Sequence, residues 1–158
     1  MPQAATPPQA STQAPWQDPY RNYNFKLEIG SATVGHFVEC SNVGGRITVI
    51  QYCEGGDHPV VRKIPGRVEH ADITLRYGLT ASLDLWNWFQ GVCDGNCERK
   101  NVSNVLLDSS GSKEVTRWNL YQAWPMEWNG APLDARGKDV AVESITLTFE
   151  KMQRVNAS

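Results

Sequence analysis

The chain has 158 residues, of which 20% are charged and 41% hydrophobic, and this is the balance of an ordinary globular domain. Its formal net charge of −2 excludes a strongly basic protein that binds nucleic acid through its overall charge. The sequence has no apolar run long enough for a transmembrane helix and no visible secretory signal, so we expect a protein made in the cytosol.

The first segment, residues 1–17, is rich in proline, alanine, glutamine and threonine and has no charged side chain. Trp16 is its one large apolar residue apart from the initial methionine. Such a segment cannot bury enough apolar surface to offset the entropy lost on ordering. We therefore predict a flexible N-terminal arm over residues 1–17 and a single domain over residues 18–158.

Alternating apolar and polar residues predict β-strands along most of this domain. The predicted strands are NYNFKLEI, ATVGHFVECS, RITVIQYCE, HPVVRKI, VEHADITLRYG, SNVLLD, KEVTRWNLYQAW and VAVESITLTFE. The segment PMEWNGAPLDARGKD, between the last two, is predicted to be a long loop, and loops of this length usually serve a function or an interface. The pattern predicts a mainly β fold, a small β-barrel or sandwich of about seven to eight strands.

One segment changes to the period of a helix. In residues 80–93, TASLDLWNWFQGVC, Leu83, Trp86 and Phe89 recur every third position, and Trp88 widens the apolar stripe. The two tryptophans would bury a large area, so the helix is expected to pack against a sheet or at an interface rather than to form a ligand site.

The stretch EGGDHPVVRKIPGR, residues 54–67, raises the question of a phosphate-binding loop. It lacks the pattern G-x-x-x-x-G-K-[ST], and it joins two predicted strands rather than a strand and a helix. Paired glycines between strands are typical of a hairpin tip, where they supply positive φ. We therefore interpret the stretch as a hairpin.

Neither a metal site nor an enzyme active site is expected. Cys93 and Cys97 are spaced C-x-x-x-C, and His36 or His58 could join them at a zinc ion, but no second close pair completes four ligands. We predict free thiols, no metal and no cofactor.

No nucleophile motif is present and the carboxylates are scattered, so we do not expect an enzyme.

Seven segments of the domain occur in an order that resembles a known family. They are DPYRNYNFKLEI, VGHFVECSNV, YCEGGDHPVVRKIPGR, ITLRYGLTASLDLWNWF, DGNCERKNVSNVLLD, EVTRWNLYQAWPMEWNG and VAVESITLTFE. Together they resemble the tail tube proteins of contractile phage tails and extracellular contractile injection systems, of which the type VI secretion tube protein is a structural relative. The resemblance implies a small β-barrel or sandwich with one flanking helix, hexameric rings stacked into a hollow inner tube, and propulsion of that tube by a contracting sheath.

The resemblance also implies roles for particular residues. The hairpin at residues 53–66 would reach into the adjacent ring through Glu54, Gly55, Gly56, Asp57, Val60, Val61, Arg62, Lys63 and Ile64. Polar strand faces would border the lumen, with Lys26, Glu28, Glu143, Thr146 and Thr148 as candidates, and the sequence leaves open which face is luminal. The implied partners are other copies of the chain, a sheath protein, baseplate and tube-terminating proteins, and an effector or DNA as cargo. Assembly in the bacterial cytoplasm and incorporation into a particle follow from the same resemblance.

Two alternatives remain open from the sequence. A paralogue of the same family could act as a baseplate-proximal initiator of the tube. A monomeric β-sandwich could instead bind a ligand such as a carbohydrate, with Tyr121, Trp124 and Trp128 as stacking surfaces.

Overall fold

A computed structural model describes residues 20, 22–30, 32–34, 37–41, 43–53, 55–56, 61–79 and 81–156, with only the backbone at 32–34. It has ten strands and one helix in this part of the chain. The elements are β1 (Phe25–Ile29), β2 (Ala32–Val34), β3 (Phe37–Cys40), β4 (Gly45–Tyr52), β5 (Arg62–His70), β6 (Ile73–Gly78), α1 (Asp84–Cys93), β7 (Lys100–Leu107), β8 (Glu114–Asn129), β9 (Val142–Thr148) and β10 (Lys151–Asn156).

The architecture is a sandwich whose two layers share the long strand β8. Strands β2, β1, β7, β8, β9, β6 and β3 are neighbours in that order, and β10 also pairs with β8. The first half of β8 lies between β7 and β10, and its second half pairs with β9. Gln122 stands between the two halves with a φ of 57°, so the strand bends there and passes from one layer to the other. The mainly β prediction with one helix is confirmed; β2 and β3 do not pair, so the sheet is a sandwich and not a closed barrel.

The core lies between the layers and follows the alternation along the strands. Leu27 and Ile29 alternate with the polar residues of β1, and Ile145 and Leu147 do so in β9. The other buried apolar residues of this cluster are Ile73, Leu75, Trp88, Val102, Leu120, Ala123 and Phe149. Burial of this apolar surface is the main favourable term in folding.

Helix α1 packs on this core through aromatic side chains. Trp88 is buried, and its indole N–H donates to the carbonyl of Glu98 at 2.7 Å. The Trp86 ring lies 4.6 Å from that of Trp128 in β8, edge to face. The sequence places Leu83 on the same stripe, but the helix begins after it, and Leu83 is 59% exposed at the N-cap. No helix in the described part of the chain is long and apolar enough to cross a membrane.

Two strands run through prolines at which the sequence predicts a break or an end. Residues 68–70 continue β5 rather than begin the next strand, although Pro65 lies within β5. Residues 125–129, predicted as loop, belong to β8 although they begin with Pro125. Each proline lies beside an irregularity in its strand pair, where a missing backbone donor is tolerated.

Two further differences change the count of strands. The segment predicted as one strand, ATVGHFVECS, is divided into β2 and β3, which lie at the two ends of the sheet order. The sequence predicts no strand after residue 150, but the structure has β10 there, and all six residues of β10 pair with β8.

Candidate assembly surfaces

Strands β4 and β5 form a two-stranded ribbon that is separate from the large sheet. Its large apolar side chains are 44% to 58% exposed. They are Ile47, Val49, Ile50, Tyr52, Val61, Ile64 and Val68. A two-stranded hairpin is marginally stable alone, and exposed apolar patches are typical of interaction sites. The ribbon is therefore a candidate contact surface.

The apolar residues of the ribbon occupy both of its faces. Ile47 pairs with Val68 on one face, and Ile50 pairs with Ile64 on the other, because neighbouring residues of a strand point to opposite sides. Val49 shares the first face and Tyr52 the second. Packing against a single surface would leave one apolar face in water, so the ribbon is shaped to be covered from two sides.

Polar contacts and glycines define the shape of the ribbon. Arg46 and Glu69 form an ion pair at 2.7 Å near its base. The Arg67 N–H donates to the Thr48 hydroxyl at 2.8 Å, at the irregularity in the strand pair. Gly66 lies so close to Thr48 that a Cβ atom added at position 66 would be 2.9 Å from the Thr48 carbonyl oxygen. The close approach of the two strands at this irregularity therefore requires glycine at position 66.

The predicted inter-ring residues that the structure describes all lie on this ribbon. Gly55 and Gly56 form the turn, and Gly56 has a φ of 114°. Arg62, Lys63 and Ile64 begin the return strand, and Val61 precedes them. Glu54, Asp57 and Val60 lie outside the described residues.

A network of four charged residues covers the outer face of β1 and β8. Arg117 donates to Glu28 at 2.6 Å and to Glu114 at 2.8 Å. Lys26 lies 3.0 Å from a carboxylate oxygen of each of the same two residues. Hydrogen bonds donated by Arg117 lower the pKa of both carboxyls, and the hydrogen bonds that Lys26 donates to Glu114 and Glu28 raise the pKa of Lys26. The sequence prediction included Lys26 and Glu28 but missed their partners in β8.

The five predicted lumen residues do not share one face. In β9, Thr146 and Thr148 point away from the core, whereas Glu143 is on the same side as the buried Ile145. Thr146 is 9% exposed, and its hydroxyl lies 3.0 Å from that of Thr74. Glu143 and the two threonines therefore lie on opposite faces of β9, as the period of the strand already implies, and which of these faces lines the lumen stays a prediction.

The aromatic residues proposed for carbohydrate stacking do not form one surface. Trp128 pairs with Ile145 and Trp124 with Thr148, so the two indoles point to opposite sides of the sheet. The Trp128 indole N–H also donates to the Tyr77 hydroxyl at 3.3 Å. Trp128 therefore takes part in packing within the domain, which argues against a surface on which a carbohydrate could stack.

The cysteines fall into two environments. Cys53, Cys93 and Cys97 are exposed free thiols, whereas burial raises the pKa of the Cys40 thiol to about 11. Within the described ranges, His, Cys, Asp and Glu form no group of three or more that could hold a metal. His36 and His58 lie outside the described residues, so the expectation of no zinc stays a prediction.

One family model matches most of the chain. Residues 21–153 match the family described as T4-like virus tail tube protein gp19. No curated protein sequence matches the chain.

Solved structures of tubes and related particles have the same fold. A chain of the anti-feeding prophage cap, a tube-terminating cap, is 23% identical, with a TM-score of 0.85 over 94% of this chain and 99% of that one. A chain of the PVC sheath–tube complex, an extracellular contractile injection system, is 25% identical, with a TM-score of 0.80 over 88% of this chain and 93% of that one. Hcp1 from Flavobacterium johnsoniae is 13% identical, with a TM-score of 0.56 over 84% and 95%.

The resemblance inferred from the sequence is thereby confirmed. The family match covers most of the chain, and the fold of the tube proteins extends over the described residues. The chain belongs to the family of T4-like virus tail tube proteins.

Proposed function

We propose that this chain forms hexameric rings that stack into the inner tube of a contractile injection system or phage tail, and that the β4–β5 ribbon is the contact between stacked rings. The ribbon is the observation that carries the proposal. It exposes apolar residues on both faces and is paired to no other strand of the described chain. A head-to-tail contact of this kind generates rings and filaments rather than closed dimers.

The charges of the ribbon complement its apolar faces. Arg62 and Lys63 lie at the start of the return strand, near the tip, while the ion pair between Arg46 and Glu69 lies near the base. Exposed charges at the rim of an interface steer association and fix its register more than they add affinity. In this proposal the apolar residues supply the affinity, and the two basic residues orient the ribbon in its neighbour.

The partners follow from the relatives. The solved structures with this fold include a sheath–tube complex, a tube-terminating cap and a baseplate. We infer the same classes of partner for this chain: sheath, baseplate and terminating proteins outside the stack, and an effector or DNA within it. The role is structural rather than enzymatic, and the particle is assembled in the bacterial cytoplasm.

A baseplate-proximal initiator remains the second candidate function, because baseplate and cap structures match along with the tube.

The charged network offers a candidate lining for the channel. Lys26, Glu28, Glu114 and Arg117 sum to zero charge and hold one another in short contacts. A neutral, polar wall would let a charged cargo pass without strong adhesion, since attraction to DNA grows with the number of unpaired cations. Replacing Glu28 with Gln would leave an excess positive charge and should slow the release of DNA or an acidic effector from loaded tubes. Unchanged release would count against this placement.

The ribbon contact is tested by removing apolar surface from one of its faces. In the double variant Ile50→Ser, Ile64→Ser, we expect folded protein that forms rings but no long tubes in negative-stain electron microscopy. The matched control is Leu133→Ser, Val140→Ser, which changes two apolar residues that are 87% and 79% exposed outside the ribbon. Control tubes should keep their normal length. Long tubes from the ribbon variant would refute the inter-ring contact, and loss of the rings themselves would move the ribbon to the contact within a ring.

A further inference from the structure

The β4–β5 ribbon continues the strand pair formed by β3 and β6. Cys40 of β3 lies opposite Leu75 of β6, and Gly45 of β4 lies opposite His70 of β5. Backbone hydrogen bonds of 2.8 and 2.9 Å join the residues between these two pairs, and neither side carries an extra residue. The ribbon therefore projects beyond one end of the β3–β6 pair, and the opposite end of that pair lies about 20 Å away along the six residues of β6.

The end of β3 and β6 that lies opposite the ribbon exposes apolar side chains. Val38 is at the irregularity in the pairing of β3 with β6, Leu79 follows the last residue of β6, and Leu83 precedes α1. Their exposed fractions are 54% to 66%. Large apolar side chains that are exposed at one end of a domain are typical of an interaction site. This end therefore offers an apolar surface that is separate from the ribbon.

A subunit that stacks head to tail needs two different surfaces, one that inserts and one that receives. The ribbon is suited to insert into a neighbour, because it projects beyond the sheet and exposes apolar side chains on both faces. If successive subunits are related by a translation along β6, the ribbon of one copy meets the opposite end of β3 and β6 in the next copy. The receiving surface is then the apolar end of this strand pair.

The charges of the two surfaces are also complementary. Arg62 and Lys63 lie near the tip of the ribbon, and Asp84 is exposed next to Leu83. The Ser82 hydroxyl donates to the Asp84 carboxylate at 2.9 Å, and among the described residues Asp84 has no basic partner. Opposite charges at the rim of an apolar contact steer association and fix its register. A basic ribbon tip therefore fits this end of the subunit.

We propose that Val38, Leu79, Leu83 and Asp84 form an acceptor surface, which receives the ribbon of a second copy of this chain in the adjacent ring. The proposal rests on the stacking of rings proposed above and names the surface that the ribbon contacts. The apolar side chains of the ribbon pack on the three apolar residues, and Lys63 contacts Asp84. The contact joins two different surfaces of identical chains, so it can be repeated from ring to ring.

Disulfide cross-linking tests which surfaces meet. In a chain whose three exposed cysteines are replaced by Ser, the double variant Lys63→Cys, Leu83→Cys is assembled into tubes and oxidised with copper–phenanthroline. On a denaturing gel without reductant, we expect a ladder of linked subunits that extends beyond the size of one ring. The matched pair Lys63→Cys, Leu133→Cys should give no ladder, because Leu133 is exposed outside the acceptor surface. A ladder from the matched pair instead, no ladder from the first pair, or a ladder that ends at the size of one ring would refute the proposal.

Charge reversal gives a second test that needs no cross-link. Lys63→Glu and Asp84→Lys should each raise the subunit concentration needed for tube assembly about tenfold or more, because the weak contacts of all subunits in a ring act together. The combined variant restores the opposite charges, so its tubes should form close to the original concentration. Lys113→Glu, an exposed change in the turn between β7 and β8, should have no effect. Assembly of the combined variant that is no better than that of the single variants would overturn the acceptor surface.

The acceptor surface and the ribbon contact can fail separately. If Ile50→Ser, Ile64→Ser abolishes long tubes but neither test connects Lys63 with the acceptor surface, the ribbon is the contact between rings and the acceptor surface is wrong. If that variant still forms long tubes, the ribbon contact is itself wrong, and the acceptor surface is refuted with it.

Discussion

Replacing Arg117 with Met tests how much the charged network stabilises the subunit. The substitution keeps most of the aliphatic stem and removes the guanidinium that bridges Glu28 and Glu114. The two carboxylates then lie together with Lys26 as their only remaining partner in the network. The change therefore removes two charge-assisted contacts and leaves like charges facing each other.

The size of the effect follows from the exposure of the side chains. Hydrogen bonds to charged groups contribute about 1.5 to 3 kcal/mol each when shielded, and exposed ion pairs about 0.2 to 1 kcal/mol. The side chains of Arg117, Glu28 and Glu114 are 28%, 22% and 34% exposed, which places them between these limits. Since Lys26 still contacts both carboxylates, we expect a loss of about 1 to 2 kcal/mol in the free energy of unfolding at pH 7.

The loss should depend on pH in a defined direction. Arg117 is the largest cause of the lowered pKa of both Glu28 and Glu114, whose ordinary value is 4.5. A carboxyl with a lowered pKa stabilises the folded state above that value, and this stabilisation is lost as the pH falls through the folded-state pKa. The difference in the free energy of unfolding between the unsubstituted protein and Arg117→Met should be largest at pH 6 to 7. It should shrink progressively below about pH 4.5.

Urea unfolding of dilute subunits, followed by tryptophan fluorescence at pH 7 and at pH 3, measures this difference. The control is Arg76→Met, which removes a single pair with Glu39 in which the two side chains are 55% and 59% exposed. The control should change stability by less than about 0.5 kcal/mol. An equal loss for both variants, or a loss from Arg117→Met that does not shrink in acid, would refute the reasoning.

Three other predictions concern packing, the ribbon and the thiols. Trp128→Leu should lower stability by about 2 to 4 kcal/mol in thermal unfolding, because the rings of α1 lose their partner in β8. Gly66→Ala should leave the thermal midpoint of the core nearly unchanged but reduce tube length in electron microscopy, since its Cβ would meet the Thr48 carbonyl oxygen. A thiol titration of the native protein near pH 8 should show three fast thiols and one slow one, Cys40, because its raised pKa of about 11 leaves little thiolate.

The repeating elements of the fold could be predicted from the sequence, because each of them depends on local period. The alternation in β1 and β9 identifies the buried face without any knowledge of the partner strand. The course of β5 and β8 through Pro65 and Pro125 could not be predicted, because it depends on irregularities shared with a second strand. The edge strand β10 depends in the same way on β8, whose length the sequence does not reveal.

Only part of the assembly surfaces could be predicted from the sequence. The turn of the ribbon could be predicted, because its glycines are a local signal. The separation of the ribbon from the sheet and its two apolar faces could not be predicted, because the alternating pattern is interpreted as a strand with one buried face. Glu114 and Arg117 lie on β8, with β7 between that strand and β1, and only the register brings them to Lys26 and Glu28. This register depends on long-range strand pairing, which the sequence does not reveal.

The shared strand β8 has a mechanical consequence. Its sixteen residues are bonded to β7 and β10 in one layer and to β9 in the other. A shear force along such a strand acts on many backbone hydrogen bonds at once, whereas a force that peels a single edge strand breaks them one after another. We expect the two layers to deform as one body under thrust, so that a subunit driven lengthwise passes the force to its neighbours before its own layers slide apart.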